Sequence, residues 1–121
     1  MYTKNDMDER RHLPRKYLII YSRVFERTLG KLLGYLADLS PEGAMIISED
    51  RLEVDTLMAL RFDLPDMNAF DRNSLNLDVR VARCDPDISP GFYNIGFEFQ
   101  EVKEEQQAII LKMMDMYEFR R

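Results

Sequence analysis

The 121 residues fit one domain, and an apolar fraction of 45% is enough for a real core. The 17 basic and 22 acidic side chains leave a formal net charge of −5, which argues against general DNA or RNA binding, because that relies on neutralising many phosphates. A single cysteine, Cys84, excludes an intrachain disulfide and agrees with a reducing compartment.

Residues 1–9 are polar and read as a flexible tail. They lack the apolar stretch of a secretory leader, and no segment approaches the roughly 20 apolar residues of a membrane span. The expected location is therefore the cytoplasm. Residues 10–16 hold Arg10, Arg11, His12, Arg15 and Lys16, a dense basic patch on an acidic chain. Pro14 biases Leu13 away from helix, so this segment reads as extended or turned.

Lys16 to Val24 is rich in β-branched and aromatic residues and predicts a strand. Leu29, Leu32, Leu33 and Leu36 have helical spacing, but Gly30 and Gly34 weaken a helix. A strand is expected from Lys31 to the turn at Asp38–Gly43. Ala44–Ser48 and Thr56–Leu64 read as further strands, and Pro65–Asn73 as a polar loop. Leu75–Arg83 alternates Leu75, Leu77, Val79 and Val81 against polar neighbours, the cleanest half-buried strand in the chain. Asp85–Gly91 predicts a hairpin loop. Phe92–Phe99 predicts a last strand, with Gly96 at a bulge or a close approach.

Lys103–Phe119 predicts an amphipathic helix with Ile109, Ile110, Met113, Met114, Met116 and Tyr117 on its apolar face. Short strands followed by one helix indicate a mainly β fold, a closed antiparallel barrel capped by that helix.

Two short motifs carry the chemistry. Arg11 and Arg15, separated by three residues, offer rigid guanidinium forks that bind phosphate or the O6/N7 edge of guanine and stack on bases. In the second motif, Asp38 is an acceptor pair suited to guanine N1–H and N2–H. Ser40 supplies a hydroxyl to ligand or backbone, and Gly43 permits positive φ or close approach of backbone to ligand. Alone, the first motif is usually a solvated tail and the second a strand-ending turn. Their order and the shared barrel context make coincidence less credible. Ordering of the arginine segment on binding would give a large local change. His12, the lone histidine, has no catalytic partner or metal-ligand cluster. Cys84 has no His or Cys neighbour in sequence and reads as structural. No nucleotide-binding glycine loop or acid–base pair is present, so an enzyme reading has no residues to name.

The pair resembles the signature of the PilZ domain, the bacterial receptor module for cyclic di-GMP. The resemblance runs from about Glu9 to Met114. It includes Gly34, Ala44–Ile47 and Asn94–Phe99 beside the motif residues. It implies a six-stranded antiparallel β-barrel of the PilZ split-barrel type with a C-terminal α-helix, spanning residues 10–121. The implied ligand is cyclic di-GMP, with no cofactor and no metal. Arg11 and Arg15 would contact guanine and phosphate, and Asp38, Ser40 and Gly43 would form the turn that receives a base. From its place between the arginines, rather than from the resemblance, His12 is expected to add stacking or a hydrogen bond to the ligand. An arginine at position 10 is associated in this family with two stacked ligand molecules per site.

The chain holds little besides this domain. A receptor of this kind is expected to act through an effector protein or a homodimer, in control of motility, pili, exopolysaccharide or biofilm. The alternative reading is a ligand-independent PilZ-like interaction adaptor. An oligonucleotide-binding barrel is disfavoured by the acidity and the lack of a base-stacking aromatic series.

Overall fold

Alternation on one strand sets the inside and outside of the whole molecule. In β5 (Ser74–Pro86), Leu75, Leu77, Val79 and Val81 are at most 1% exposed, while Asn76, Asp78 and Ala82 face solvent. Each fully buried side chain of this size contributes about 1.5–3 kcal/mol. A one-residue slip would turn all four outward, so register is strongly specified. The computed structural model describes residues 22–64 and 67–116, and within them the neighbours of β5 follow the same rule. In β4 (Leu57–Asp63), Leu60 and Phe62 pair with Leu77 and Leu75 and are buried. In β6 (Tyr93–Gln100), Phe97 and Phe99 pair with Val81 and Val79 and are buried as well.

The remaining strands are β1 (Arg23–Glu26), β2 (Lys31–Leu39) and β3 (Gly43–Ser48). The strand order β1-β2-β3-β6-β5-β4 closes, since β1 pairs with β4 through Val24↔Phe62 and Glu26↔Leu60. All six pairings are antiparallel. Closure removes the exposed edges that an open sheet would leave. The core fills the barrel with Val24, Leu36, Ile46, Leu60, Phe62, Leu77 and Ile95, and Phe62 meets Phe99 edge to face with ring centres 6.3 Å apart.

Two helices complete the described structure: the single turn α1 (Met67–Phe70) and the longer α2 (Glu104–Met116). At the start of α2 the Gln106 side chain accepts from the Lys103 amide at 2.7 Å, the reach-back half of a capping box. Glu104 and Glu105 stand in the first turn, where the helix dipole favours acids. Ile110 and Met113 are buried in the core, with Ile109, Met114 and Met116 packed around them. Gln106 also donates to the Asn76 carbonyl at 2.8 Å, and Lys112 donates to the Ala69 carbonyl, tying the helix to β5 and α1.

The six-stranded barrel with a C-terminal helix agrees with the sequence reading, but three details differ. The first strand was expected at Lys16–Val24. Its described part is Arg23–Glu26, and residues 16–21 lie outside the described residues. The strand runs two residues past Val24 because Phe25 and Glu26 pair with Arg61 and Leu60 of β4. On the outer face Arg23 pairs with Asp63 at 2.9 Å, and the Arg61 guanidinium lies 4.2 Å from the Phe25 ring centre.

The second difference is in the 65–73 loop, which contains α1, because buried Phe70 docks into the core. Four residues are too few for a periodic signal. Third, β5 continues past Arg83 to Pro86 by pairing along β6 to Tyr93, so the hairpin loop begins at Asp87. The helix expected to Phe119 is described as far as Met116, and residues 117–119 lie outside the described residues, as does the tail at 1–9.

Burial along the strands predicts an asymmetric response to truncation. Leu77→Ala should cost about 2–5 kcal/mol in chemical denaturation, because it leaves a cavity in the barrel. Leu57→Ala, at a position 72% exposed, should stay within about 0.5 kcal/mol of the parent.

Candidate functional site

The turn between β2 and β3 is built by its own side chains. The Ser40 amide donates to the Gly43 carbonyl at 2.8 Å, and the Gly43 amide donates to the Ser40 hydroxyl at 3.2 Å. The Glu42 carbonyl accepts from the Phe99 amide at 2.8 Å, fixing the turn to β6. Of the two uses the sequence allows for the Ser40 hydroxyl, the backbone one is therefore made. Gly43 has no positive φ. Its need for glycine is close approach, and the neighbour is protein: a Cβ there would overlap the Phe97 carbonyl oxygen of β6.

Asp38 reaches the outer face through a bulge. Strict alternation from buried Leu36 would turn Asp38 into the core and Leu39 out. The β2–β3 register shifts between Leu36 and Asp38, so Leu39 is buried instead and Asp38 is half-buried, paired with Met45. A bulge re-aims a side chain in this way. One Asp38 carboxylate oxygen accepts from the Leu39 amide at 2.9 Å. A carboxylate has further lone pairs for other donors.

Asp38, Ser40 and Gly43 are thus brought together, and they line one cleft of about 360 Å³ with Met45, Arg83 and Glu98. Leu39, Ala44 and Phe97 belong to its lining and connect it to the core. Glu98, the cross-strand partner of Gly43, accepts from Arg80 Nε at 3.0 Å, and Arg80 also donates to Asp55 at 2.6 Å. The hydrogen bond from Arg80 holds the Glu98 carboxyl below its ordinary range. Arg80 is engaged in this network, while Arg83 lines the cleft. The sequence reading missed Met45, Arg83 and Glu98 as lining residues. The available signal was Gly96, the glycine opposite Arg83.

Arg10, Arg11, His12 and Arg15 lie outside the described residues. Among the described residues there is no group of three His, Cys, Asp or Glu side chains able to hold a metal, and no helix long and apolar enough to cross a membrane. Cys84 is half-buried against the core. A second cleft of about 410 Å³ is lined by Glu26, Thr28, Leu57, Asp78 and Gln100 among others, without a basic residue. It is the poorer match for an anion.

The family model described as PilZ domain matches residues 9–115. The chain belongs to the PilZ domain family. The matched span takes in both motifs and all six strands. Among solved structures, the barrel is similar to the PilZ domain with c-di-GMP of YcgR from Escherichia coli, with a TM-score of 0.62 and 13% sequence identity, covering 78% of this chain and 80% of that one. At that identity the likeness establishes the fold. A comparison with curated proteins gives no match.

The packing of Gly43 gives a prediction separate from any ligand. Gly43→Ala should lower stability by about 1–3 kcal/mol in thermal or urea unfolding, as an overpacked backbone contact does. An unchanged melting curve would remove the close approach as the reason for glycine in this PilZ turn.

Proposed function

We propose that this PilZ protein is a receptor for cyclic di-GMP that works in the cytoplasm and passes the signal to a protein partner. The observation that carries this reading is the bulge-exposed Asp38 beside the Ser40–Gly43 turn, opening on a cleft in a PilZ barrel. The Asp38 carboxylate is the guanine reader, accepting from N1–H and N2–H of the base. The similar fold of the YcgR PilZ domain, described with c-di-GMP, supports the choice of ligand.

Charge explains why the first motif is needed. The described lining contains Asp38, Glu42 and Glu98 against one arginine, Arg83. Such a cleft does not attract a ligand carrying two phosphates, and further cations have to come from outside it. Arg11 and Arg15 are the natural donors, bidentate to phosphate and guanine. Arg10 is assigned to a second, stacked ligand molecule, and His12 to an additional contact. Capture of the arginine segment by the ligand changes the surface shown to an effector protein or to a second copy of the chain. Systems controlling motility, pili, exopolysaccharide or biofilm are the proposed outputs.

Calorimetric titration with cyclic di-GMP should give saturable binding, with GTP and cyclic AMP inert. Arg15→Ala and Asp38→Ala should each weaken it by about ten- to a hundredfold, the loss of a hydrogen bond to a charged group. Unchanged affinity in both variants would reject the site. Absence of binding, with a partner still recovered, would favour the ligand-independent adaptor.

The ligand count gives a second check. Arg10→Leu should reduce the stoichiometry from two to one per chain, and an unaltered count would reject the paired arrangement.

A further inference from the structure

A second bulge mirrors the one at Asp38. On β5, buried Val81 would by strict alternation be followed by an inward residue 83. The β5–β6 register shifts between Val81 and Arg83, so both Ala82 and Arg83 face solvent. The ladders then align Arg83 with Gly96, Gly96 with Met45, and Met45 with Asp38. Four strands thus contribute one lateral row on the outer face. A bulge at each end exposes a charged group, a carboxylate on one side and a guanidinium on the other.

Gly96 keeps that row open. A Cβ there would lie 3.3 Å from Arg83 Cγ and 3.7 Å from Nε, so the arginine stem runs alongside the glycine and over β6. The distant Nε–Asp85 pair at 3.5 Å, with both side chains at least 60% exposed, is a weak tether. We infer that Arg83 is a further ligand-contact residue of the cleft, offering its guanidinium plane as a stacking platform for a purine base whose edge is read by Asp38. Met45 forms the floor between them; its flexible thioether suits an aromatic face. This inference rests on the cyclic di-GMP reading and adds to it a contact from β5.

The test is a titration of the full chain with cyclic di-GMP, run on Arg83→Ala, Arg83→Lys, Gly96→Ala and Asp85→Ala beside the parent and Arg15→Ala. Arg83→Ala should bind at least about tenfold more weakly, the usual scale for losing a stacking partner. Arg83→Lys keeps the charge without the plane and should be no better than the alanine variant. Gly96→Ala pushes on a flexible side chain, so the barrel should melt as the parent does while affinity falls. Asp85→Ala should bind within about twofold of the parent, because the surface pair has little influence.

Parent-like affinity of Arg83→Ala, with Arg15→Ala defective, would overturn the role of Arg83 and leave the receptor reading intact. Full rescue by lysine, or an equal loss in Asp85→Ala, would overturn the stacking platform. A parent chain that does not bind would overturn the receptor reading, and this inference with it.

Discussion

Register is the constraint on which the rest of this structure depends. Closure of the six-stranded barrel links every ladder to the next, so the inward set Leu36, Ile46, Ile95, Val81, Leu60 and Val24 cannot shift on one strand alone. Against that fixed background, an extra residue in β2 and another in β5 have a defined consequence. Each turns one charged side chain from the core side to the outer face. The candidate site lies between these two breaks in alternation, as bulges are often found next to binding sites; a further shift, between Val24 and Phe25 of β1, lies away from the cleft.

The glycines serve the same geometry in different ways. Gly43 lets the β2–β3 turn settle against the β6 backbone, which anchors Ser40 and Glu42 close to Asp38. Gly96 leaves space above β6 in which Arg83 lies. Neither uses a left-handed conformation. Local carboxylates give the cleft a negative bias that Arg80 offsets at Glu98. In the proposed receptor the work is divided accordingly: Asp38 selects the base, and the cations of the first motif supply attraction for the phosphates.

Much of this was legible in the sequence. The alternation of Leu75, Leu77, Val79 and Val81 specified a half-buried strand, and the spacing of Ile110 and Met113 specified the inner face of the helix. The Ser40–Gly43 turn was visible from its residue types. The bulge in β2 was not, because Ala37 carries no turn signal and a bulge exists only relative to a partner strand; the one in β5 was signalled only by Gly96 on its partner strand. Arg83 was hidden for the same reason: at strand spacing from Val81 it belongs to the inward set. The single turn containing Phe70 fell below the length at which periodicity speaks, and the last two residues of β1, Phe25 and Glu26, are strand only through their pairing with β4.

The central claim, that the bulge-lined face is the cyclic di-GMP site, is tested most directly by amide shift mapping of the isotopically labelled full chain during titration with that ligand. Binding at this face predicts shifts concentrated in residues 38–45, at Arg83 and Gly96, and in the arginine segment at 10–16. Shifts gathered instead around Glu26, Thr28, Leu57 and Asp78, at the second cleft, or no shifts at all, would contradict it.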